Sequence, residues 1–420
     1  MQQPTIAALI HHKACCMHTP ALHPGAPISA GTPEFARINR AMVFGGFSTF
    51  SLLYCVQPVM PMLADQFKLT PVQSSWILSI STLTLAVSLI ISSAISERVG
   101  RKSMMGLAVA LAAITTMLCA FANDFAQLLV LRAILGIALG GMPAVAIAYL
   151  GEEIEKTSIG LSIGLYIAGS AFGGMFGRLI SALLSDYLSW RIAFAVLGAA
   201  GLYAAWDFWR NLPPARNFQP VHHSWRDILA GVRLHFADPG LAMLFTLAFL
   251  LMGCFVSLYN YLGYRLLAAP FNLSHSAMGS VSILYLLGIA SAVWVGRLVD
   301  RVGRRGVLWL VLLTMLCGLL LTLSQSLPIV ILGTAIFTFG FFASHSVASS
   351  WVARRARTHK ALASALYLFF YYLGSSLVGS LTGLLWERSG WPGVVFGLSG
   401  ALGVALLITL RMRSLQPIAA

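Results

Sequence analysis

The sequence predicts an all-α membrane protein with twelve transmembrane helices, arranged as two pseudo-symmetric halves of six helices each. Three observations lead to this fold class. The chain is 58% hydrophobic and only 10% charged, its mean hydropathy is +0.82, and a ten-residue pattern occurs twice. A soluble domain carries roughly 25% charged residues. Apolar runs of about 18 residues or more therefore indicate membrane-spanning helices, and the duplicated pattern indicates two related halves.

The duplicated pattern occupies residues 93–102 and 296–305, and both copies read small-x-x-x-acid-Arg-x-Gly-Arg-basic. The two acids, Glu97 and Asp300, are 203 residues apart (300 minus 97), close to half of the 420-residue chain. Other stretches match at similar offsets, such as 67–70 with 271–274. The agreement of these offsets predicts that the two halves are copies of one six-helix unit.

Twelve apolar runs of about 17–25 residues are each long enough to cross about 30 Å of hydrocarbon. The predicted spans are 40–63, 73–95, 104–122, 126–149, 158–183, 190–210, 240–264, 276–297, 306–325, 327–350, 361–385 and 391–411. They divide the chain into a disordered N-terminal tail (1–38), an N-terminal half (39–210), a central loop (211–239), a C-terminal half (240–412) and a short tail (413–420).

The distribution of basic residues predicts the orientation of the chain in the membrane. Of the 27 Lys and Arg residues, 21 fall on the side of the two termini, 4 on the other side and two inside spans. Short cytoplasmic loops carry the excess of Lys and Arg. We therefore expect both termini in the cytoplasm, and we interpret the net charge of +14 as a topology signal and not as nucleic-acid binding.

The central loop contains a predicted helix. Ser224 with Asp227 three residues later forms a capping-box pattern, and apolar residues follow at helical spacing. These are Trp225, Ile228, Leu229, Val232 and Phe236. We expect this helix to lie on the cytoplasmic membrane face; an ordinary linker helix without lipid contact is the alternative.

The duplicated pattern resembles the signature of the major facilitator superfamily, although Ser93 and Glu97 stand where that family usually has Gly and Asp. The resemblance implies that the pattern forms a conformational latch, which joins the cytoplasmic ends when the protein faces outward. The implied latch residues are Glu97, Arg98, Gly100, Arg101, Asp300, Arg301, Gly303 and Arg304. A role as topology anchors alone is the alternative.

Two arginines lie inside predicted spans, Arg132 in span 4 and Arg178 in span 5. A charged side chain is costly in hydrocarbon and should face protein or water. Together they are candidates for drawing an anionic group into a cavity. Alternatively, they pair with Asp124, Asp186 or backbone carbonyls and hold the N-terminal half together.

The coupling chemistry points to protons, with the proton gradient as the expected driving force and no cofactor. A histidine side chain ordinarily titrates near neutral pH, His345 lies in span 10, and no acid lies near the middle of a predicted span. A neutral His bonded across helices is the alternative. Span 5 has the glycines of the family's antiporter motif without its proline, which weakens the antiporter prediction.

Polar and aromatic side chains cluster on the spans expected to line a central cavity, where a tyrosine offers an apolar ring and a hydroxyl to an amphipathic solute. The further candidates for solute contact are Tyr54, Gln57, Tyr166, Tyr259, Asn260, Tyr367 and Tyr371. Some of the tyrosines are alternatively interfacial belt residues.

Residues 52–58, 173–181, 345–351 and 366–376 resemble one bacterial inner-membrane subfamily and imply efflux-type transport. We therefore expect a secondary transporter of a small organic solute that works by alternating access, as a monomer in the lipid bilayer. Uptake of a sugar or organic acid by symport or uniport is the alternative, and a receptor that binds without translocating is the alternative from another class. The sequence has no ATP-binding loop, no pairs of zinc ligands and no nucleophile triad, so an enzyme is not expected.

Overall fold

The computed structural model describes residue 25, residues 27–218 and residues 225–414. Regular structure in that part is helical, apart from one isolated bridge between Ile28 and Ile154. The α-helices are α1 (Pro33–Tyr54), α2 (Met60–Phe67), α3 (Pro71–Val99), α4 (Arg101–Cys119), α5 (Phe125–Leu139), α6 (Pro143–Glu153), α7 (Ile159–Tyr187), α8 (Trp190–Asn211), α9 (Trp225–Ala237), α10 (Pro239–Leu267), α11 (His275–Ser280), α12 (Tyr285–Val302), α13 (Arg304–Leu321), α14 (Leu327–Arg355) and α15 (Lys360–Ser414).

Eleven helical segments in the described chain are long and apolar enough to cross a membrane. The last of them, of 54 residues, contains two spans, because the backbone at Gly390 has φ 60° and ψ −149° and is not helical there. After this reversal the carbonyl of Arg413 accepts a hydrogen bond from Arg305, on the side of the bundle where α15 began. The prediction of an all-helical protein with twelve spans is confirmed.

The two copies of the repeated pattern form turns with the same backbone conformation. Gly100 has φ 91° and ψ 146°, and Gly303 has φ 87° and ψ 151°. Side chains other than hydrogen are disfavoured at such positive φ values, which explains the glycine in each copy. We call the end of the bundle that contains these two turns the basic face, and the opposite end the far face.

Span 1 is broken in its middle, between α1 and α2, by a 3₁₀ segment of Gln57–Val59. Pro58 has no N–H group, so the carbonyl of Tyr54 cannot receive the hydrogen bond that a continuous helix would supply. The break places the Gln57 side chain, which is 4% exposed, inside the bundle.

Helical structure begins at Pro33, inside the segment 1–38 that was predicted to be a disordered tail. α1 begins at Pro33, capped by Thr32, whose side chain accepts a hydrogen bond from the Phe35 amide. Ile28 is buried, and its amide donates to the carbonyl of Glu153 at the end of α6. The rest of the predicted tail lies outside the described residues.

A helix does form in the central loop: α9 covers Trp225–Ala237, and Ser224, its predicted cap, lies outside the described residues. One side of α9 packs against the C-terminal half: the centre of the Phe236 ring lies 5.6 Å from that of Phe245 and 5.8 Å from that of Phe370. Leu229 and Leu234 are each 52% exposed. Their contact with lipid stays a prediction.

Small residues allow α1 and α7 to approach closely. A Cβ atom at Gly173 would lie 2.0 Å from the carbonyl oxygen of Phe47, and one at Gly177 would lie 2.5 Å from that of Ser51. Glycine at every fourth position is the usual solution for close helix contact in membranes.

We expect Gly173→Ala to destabilise the protein by about 1–3 kcal/mol, because the added methyl group must push α1 and α7 apart. The measurement is thermal unfolding of the purified protein, in which the midpoint should fall. Gly164→Ala is the matched control on the same helix, since a Cβ there meets no atom within 4 Å. Equal midpoints for the two variants would contradict this account of the packing.

The two halves are in contact toward the far face. The side chain of Asp186 at the end of α7 accepts hydrogen bonds from the amide of Ser276, at 3.0 Å, and from its hydroxyl, at 2.5 Å. The hydroxyl oxygens of Ser74 and Tyr264 lie 2.6 Å apart. The Ser380 hydroxyl donates a hydrogen bond to the Ser79 hydroxyl at 2.9 Å. These hydrogen bonds hold the two halves together from the far face toward the middle of the bundle.

The same helices separate toward the basic face. A Cβ at Gly279 in α11 would lie 2.2 Å from Ala182 of α7, which shows tight contact near the far face. Near the basic face, a Cβ at Gly160 or Gly164 of α7, or at Gly296 of α12, would meet no atom within 4 Å. None of the four ion pairs between described side chains joins the two halves. The halves are therefore in close contact near the far face, and this close contact is lacking at these positions toward the basic face.

Candidate functional site

Arg178 lies at the interface of the halves and is only 3% exposed. Its Nε donates to the side-chain oxygen of Gln57 at 2.6 Å, and its Nη1 donates to the carbonyl of Gly174 at 2.6 Å. No described carboxylate pairs with it. Arg178 is thus a buried cation whose hydrogen-bond partners are neutral.

Three tyrosine rings surround this guanidinium. Its Cζ atom lies 4.1 Å from the ring centre of Tyr54, 4.8 Å from that of Tyr285 and 5.9 Å from that of Tyr259. Tyr54 belongs to the N-terminal half, and the other two belong to the C-terminal half. Cation–π attraction compensates part of the cost of burying the charge, and it holds the arginine against both halves.

Gln57 and Asn260 connect the halves at equivalent positions of the repeat. They are 203 residues apart, the separation of Glu97 and Asp300, and the Gln57 amide donates to the Asn260 side-chain oxygen at 2.6 Å. The hydrogen bonds therefore run from Arg178 through Gln57 to Asn260. The side-chain nitrogen of Asn260 and the hydroxyls of Tyr54 and Tyr285 have no partner among the described residues.

A cavity of about 20 Å3 borders this cluster, with room for about one water-sized group. Polar and apolar side chains line it, and a larger solute requires the surrounding side chains to move. The side chains that the cavity shares with the cluster are those of Gln57, Arg178 and Tyr259, and Leu262, Leu266, Met278, Val281 and Ser282 complete most of the lining.

A second group of candidates forms around His345. Its Nδ1 lies 3.0 Å from the hydroxyl of Tyr367, and its ring lies 4.7 Å from that of Tyr371. Phe341 stacks on His345 at 6.1 Å and on Phe255 at 3.7 Å. Because Phe255 also contacts Tyr259 and Tyr285, at 5.0 and 5.5 Å, a continuous aromatic wall joins His345 to the Arg178 cluster.

Arg132 does not join this cluster. Its Nε, Nη1 and Nη2 donate to the carbonyls of Ile77, Leu52 and Leu53, at 3.2, 3.1 and 2.6 Å. The break after Tyr54 deprives the last carbonyls of α1 of their usual helical partners. Arg132 therefore caps this break, which matches the alternative in which it holds the N-terminal half together.

Tyr166 also lies apart from Arg178, twelve residues and about 18 Å away along α7. It is 4% exposed and packs against Gly46 of α1 in the N-terminal half. Tyr285, in contrast, belongs to the cluster and was missed in the sequence. The available signal was a tyrosine inside span 8, one of the spans that would line a cavity between the halves.

Among the described latch residues, Arg101 contacts its own half and the central loop. Arg101 is 7% exposed, donates to Glu152 at 2.8 Å and lies 5.0 Å from the Phe218 ring. Arg98 and Arg301 are exposed, and Arg304 is partly buried. The side chains of Glu97 and Asp300 lie outside the described residues, so the latch stays a prediction.

Comparisons with known proteins agree with this architecture. The Major Facilitator Superfamily profile matches residues 42–269 and 261–418. The chain is 45% identical to the uncharacterized MFS-type transporter YybF of Bacillus subtilis, over 91% of this chain and 95% of the relative. It is 44% identical to the inner membrane transport protein YnfM of Escherichia coli, over 93% of each chain.

A solved structure shows the same fold. The bacterial homologue of the human lysosomal transporter Spinster, in an inward-facing and unoccupied conformation, superposes with a TM-score of 0.72 at 17% identity, over 90% of this chain and 95% of that one. The chain belongs to the Major Facilitator Superfamily. It is a multi-pass inner-membrane secondary transporter of small molecules, and it is not an enzyme.

Proposed function

We propose that this transporter exports a small organic solute from a bacterial cytoplasm by alternating access, driven by the proton gradient. The solute sits against Arg178 and its tyrosines. The observation that carries this proposal is that one buried, uncompensated cation contacts side chains of both halves. A solute bound there can become accessible first from one side of the membrane and then from the other as the halves rock.

The orientation follows from the basic face. It carries most of the Lys and Arg residues, so it faces the cytoplasm, where both termini lie. We infer that the bundle is inward-facing, since the halves are in close contact near the far face. In the outward-facing state the two Gly100 and Gly303 turns approach each other, and the acids and arginines of the repeated pattern form the latch.

Proton coupling is assigned to His345. Its ring nitrogen contacts the Tyr367 hydroxyl, and the aromatic wall connects it to the Arg178 cluster. Protonation adds a cation beside the solute route and changes the charge that a solute meets there. The solute is bound by a single chain, which is consistent with the expected monomer.

The test is transport by inverted and right-side-out membrane vesicles with a panel of labelled anionic, neutral and cationic solutes. We expect at least one solute to accumulate in inverted vesicles, and only while a pH gradient is imposed. Accumulation in right-side-out vesicles alone would instead support uptake, and equilibration without a gradient would support a uniporter. A solute that binds in both preparations but never crosses would support the receptor alternative.

A further inference from the structure

The hydrogen-bond state of Arg178 differs from that of the other buried arginines near the spans. Arg132 uses all three of its guanidinium nitrogens, and Arg265 uses both terminal nitrogens on the carbonyls of Thr322 and Ser324. Arg178 uses Nε and Nη1, whereas Nη2 has no partner among the described residues. A buried cation without a counter-charge is destabilising unless a ligand supplies one.

Further unused donors belong to residues of the same cluster. The hydroxyls of Tyr54 and Tyr285 and the Asn260 nitrogen are buried without partners in the described part, and these residues are 4%, 4% and 1% exposed. Arg178 also lines the 20 Å3 cavity, which accommodates about one oxygen-sized atom. A planar guanidinium with neighbouring N–H and O–H donors is suited to a carboxylate.

The side chains around Arg178 indicate which kind of organic group the carboxylate belongs to. Tyr54 and Tyr285 present ring faces on the two halves, and Phe255, Phe341 and Tyr371 extend this surface toward His345. Aromatic rings pack favourably against such a wall. Since Arg132 is fully occupied, Arg178 is the one available cation of this cluster among the described residues, which favours one negative charge over two.

Gln57 occupies the position beside the Arg178 guanidinium that a carboxylate would take. Its amide oxygen lies 2.6 Å from Arg178 Nε, and its amide nitrogen donates to Asn260 of the other half. An incoming carboxylate competes with Gln57 for the guanidinium. Displacement of Gln57 would then release its link to Asn260, which connects the two halves.

We propose that the Arg178 cluster binds an aromatic monocarboxylate, which displaces Gln57 from the guanidinium. This assignment rests on the proposed function, because it names the class of solute that the transporter carries. The shared chemistry is a small monovalent anion, and the experiment separates an organic carboxylate from a halide.

The test is binding to the purified full-length protein in detergent, measured by calorimetry and by the thermal unfolding midpoint, with benzoate as the probe. Benzamide is the neutral isostere, phthalate the dianion and chloride the halide. We expect benzoate to bind at least about tenfold more tightly than benzamide or phthalate. Arg178→Gln and Gln57→Glu should each weaken benzoate at least about tenfold, the second because its own carboxylate occupies the guanidinium.

Arg191→Gln is the matched control, since Arg191 caps the carbonyls of Ala120 and Ala122 away from the cluster. It should retain benzoate binding. Gln57→Glu keeps the cation and so tests the proposal even when Arg178→Gln does not fold. Equal affinity for benzoate and benzamide, unchanged affinity in Gln57→Glu, or an equal effect of chloride would overturn the assignment. If benzoate does not bind while inverted vesicles still accumulate another solute, the proposed export function is retained and only the assignment of the solute class is wrong.

Discussion

Replacing Arg178 with lysine is expected to reduce transport at least about 100-fold, although the positive charge is retained. Lysine is a point charge without the planar fork of arginine, so it cannot bond to Gln57 and Gly174 together while it stacks between Tyr54 and Tyr285. Hydrogen bonds to charged groups contribute about 1.5–3 kcal/mol each, and two of them correspond to a change of about 100-fold or more. The measurement is the initial rate of solute accumulation in inverted vesicles, normalised to the amount of folded protein.

Arg191→Lys provides the comparison, because it makes the same chemical change at an arginine outside the cluster. It should leave the rate, normalised to folded protein, within about twofold of the original protein, because Arg191 lies away from the cluster. A lysine at position 178 that supports normal transport would show that only the charge matters, and the stacked geometry of the cluster would then have no role.

A disulfide between the halves, formed within the spanning parts of α3 and α15, is expected to stop transport. The hydroxyls of Ser79 in α3 and Ser380 in α15 lie 2.9 Å apart, so cysteines at these positions are close enough for an S–S bond. Alternating access requires α3 of one half and α15 of the other to move relative to each other, and a covalent bond between them prevents this movement. The double variant, in a chain with Cys15, Cys16 and Cys317 changed to serine, should lose transport on oxidation and regain it with reductant.

The pair Ser257 and Thr382 supplies the control for this experiment. Their hydroxyls are 3.1 Å apart, but both residues belong to the C-terminal half, on α10 and α15. A disulfide between cysteines at these positions should form and leave transport largely intact. Full activity of the oxidised Ser79→Cys/Ser380→Cys protein, with the bond verified by mass spectrometry, would contradict rocking of the halves at this position.

Local patterns in the sequence predicted the features that local physics determines. Long apolar runs are sufficient to predict the twelve spans, because each transmembrane helix satisfies its own backbone hydrogen bonds in lipid. The glycines of the repeated pattern lie in tight turns, and Gly100 and Gly303 have the positive φ values that favour glycine. The helix in the central loop was likewise visible in the spacing of its apolar residues, and it forms as α9.

The composition of the cluster depended on contacts between the halves, which sequence spacing does not reveal. Arg132 and Arg178 had equivalent sequence descriptions, each a cation inside a span. The break after Tyr54 distinguishes them, because it presents free carbonyls to Arg132 while it turns Gln57 toward Arg178. The one available signal was the 203-residue separation of Gln57 and Asn260, which marks them as equivalent positions.

Distances between spin labels on the two faces test the central claim, that the halves rock about the Arg178 cluster, most directly. One pair is Val99→Cys with Val302→Cys, exposed equivalent positions at the basic face. The other is Tyr187→Cys with Ser389→Cys, exposed positions at the far face. On addition of the transported solute and a pH step, the account predicts a shorter distance at the basic face and a longer distance at the far face. Changes in the same direction at both faces, or no change at either during active transport, would contradict it.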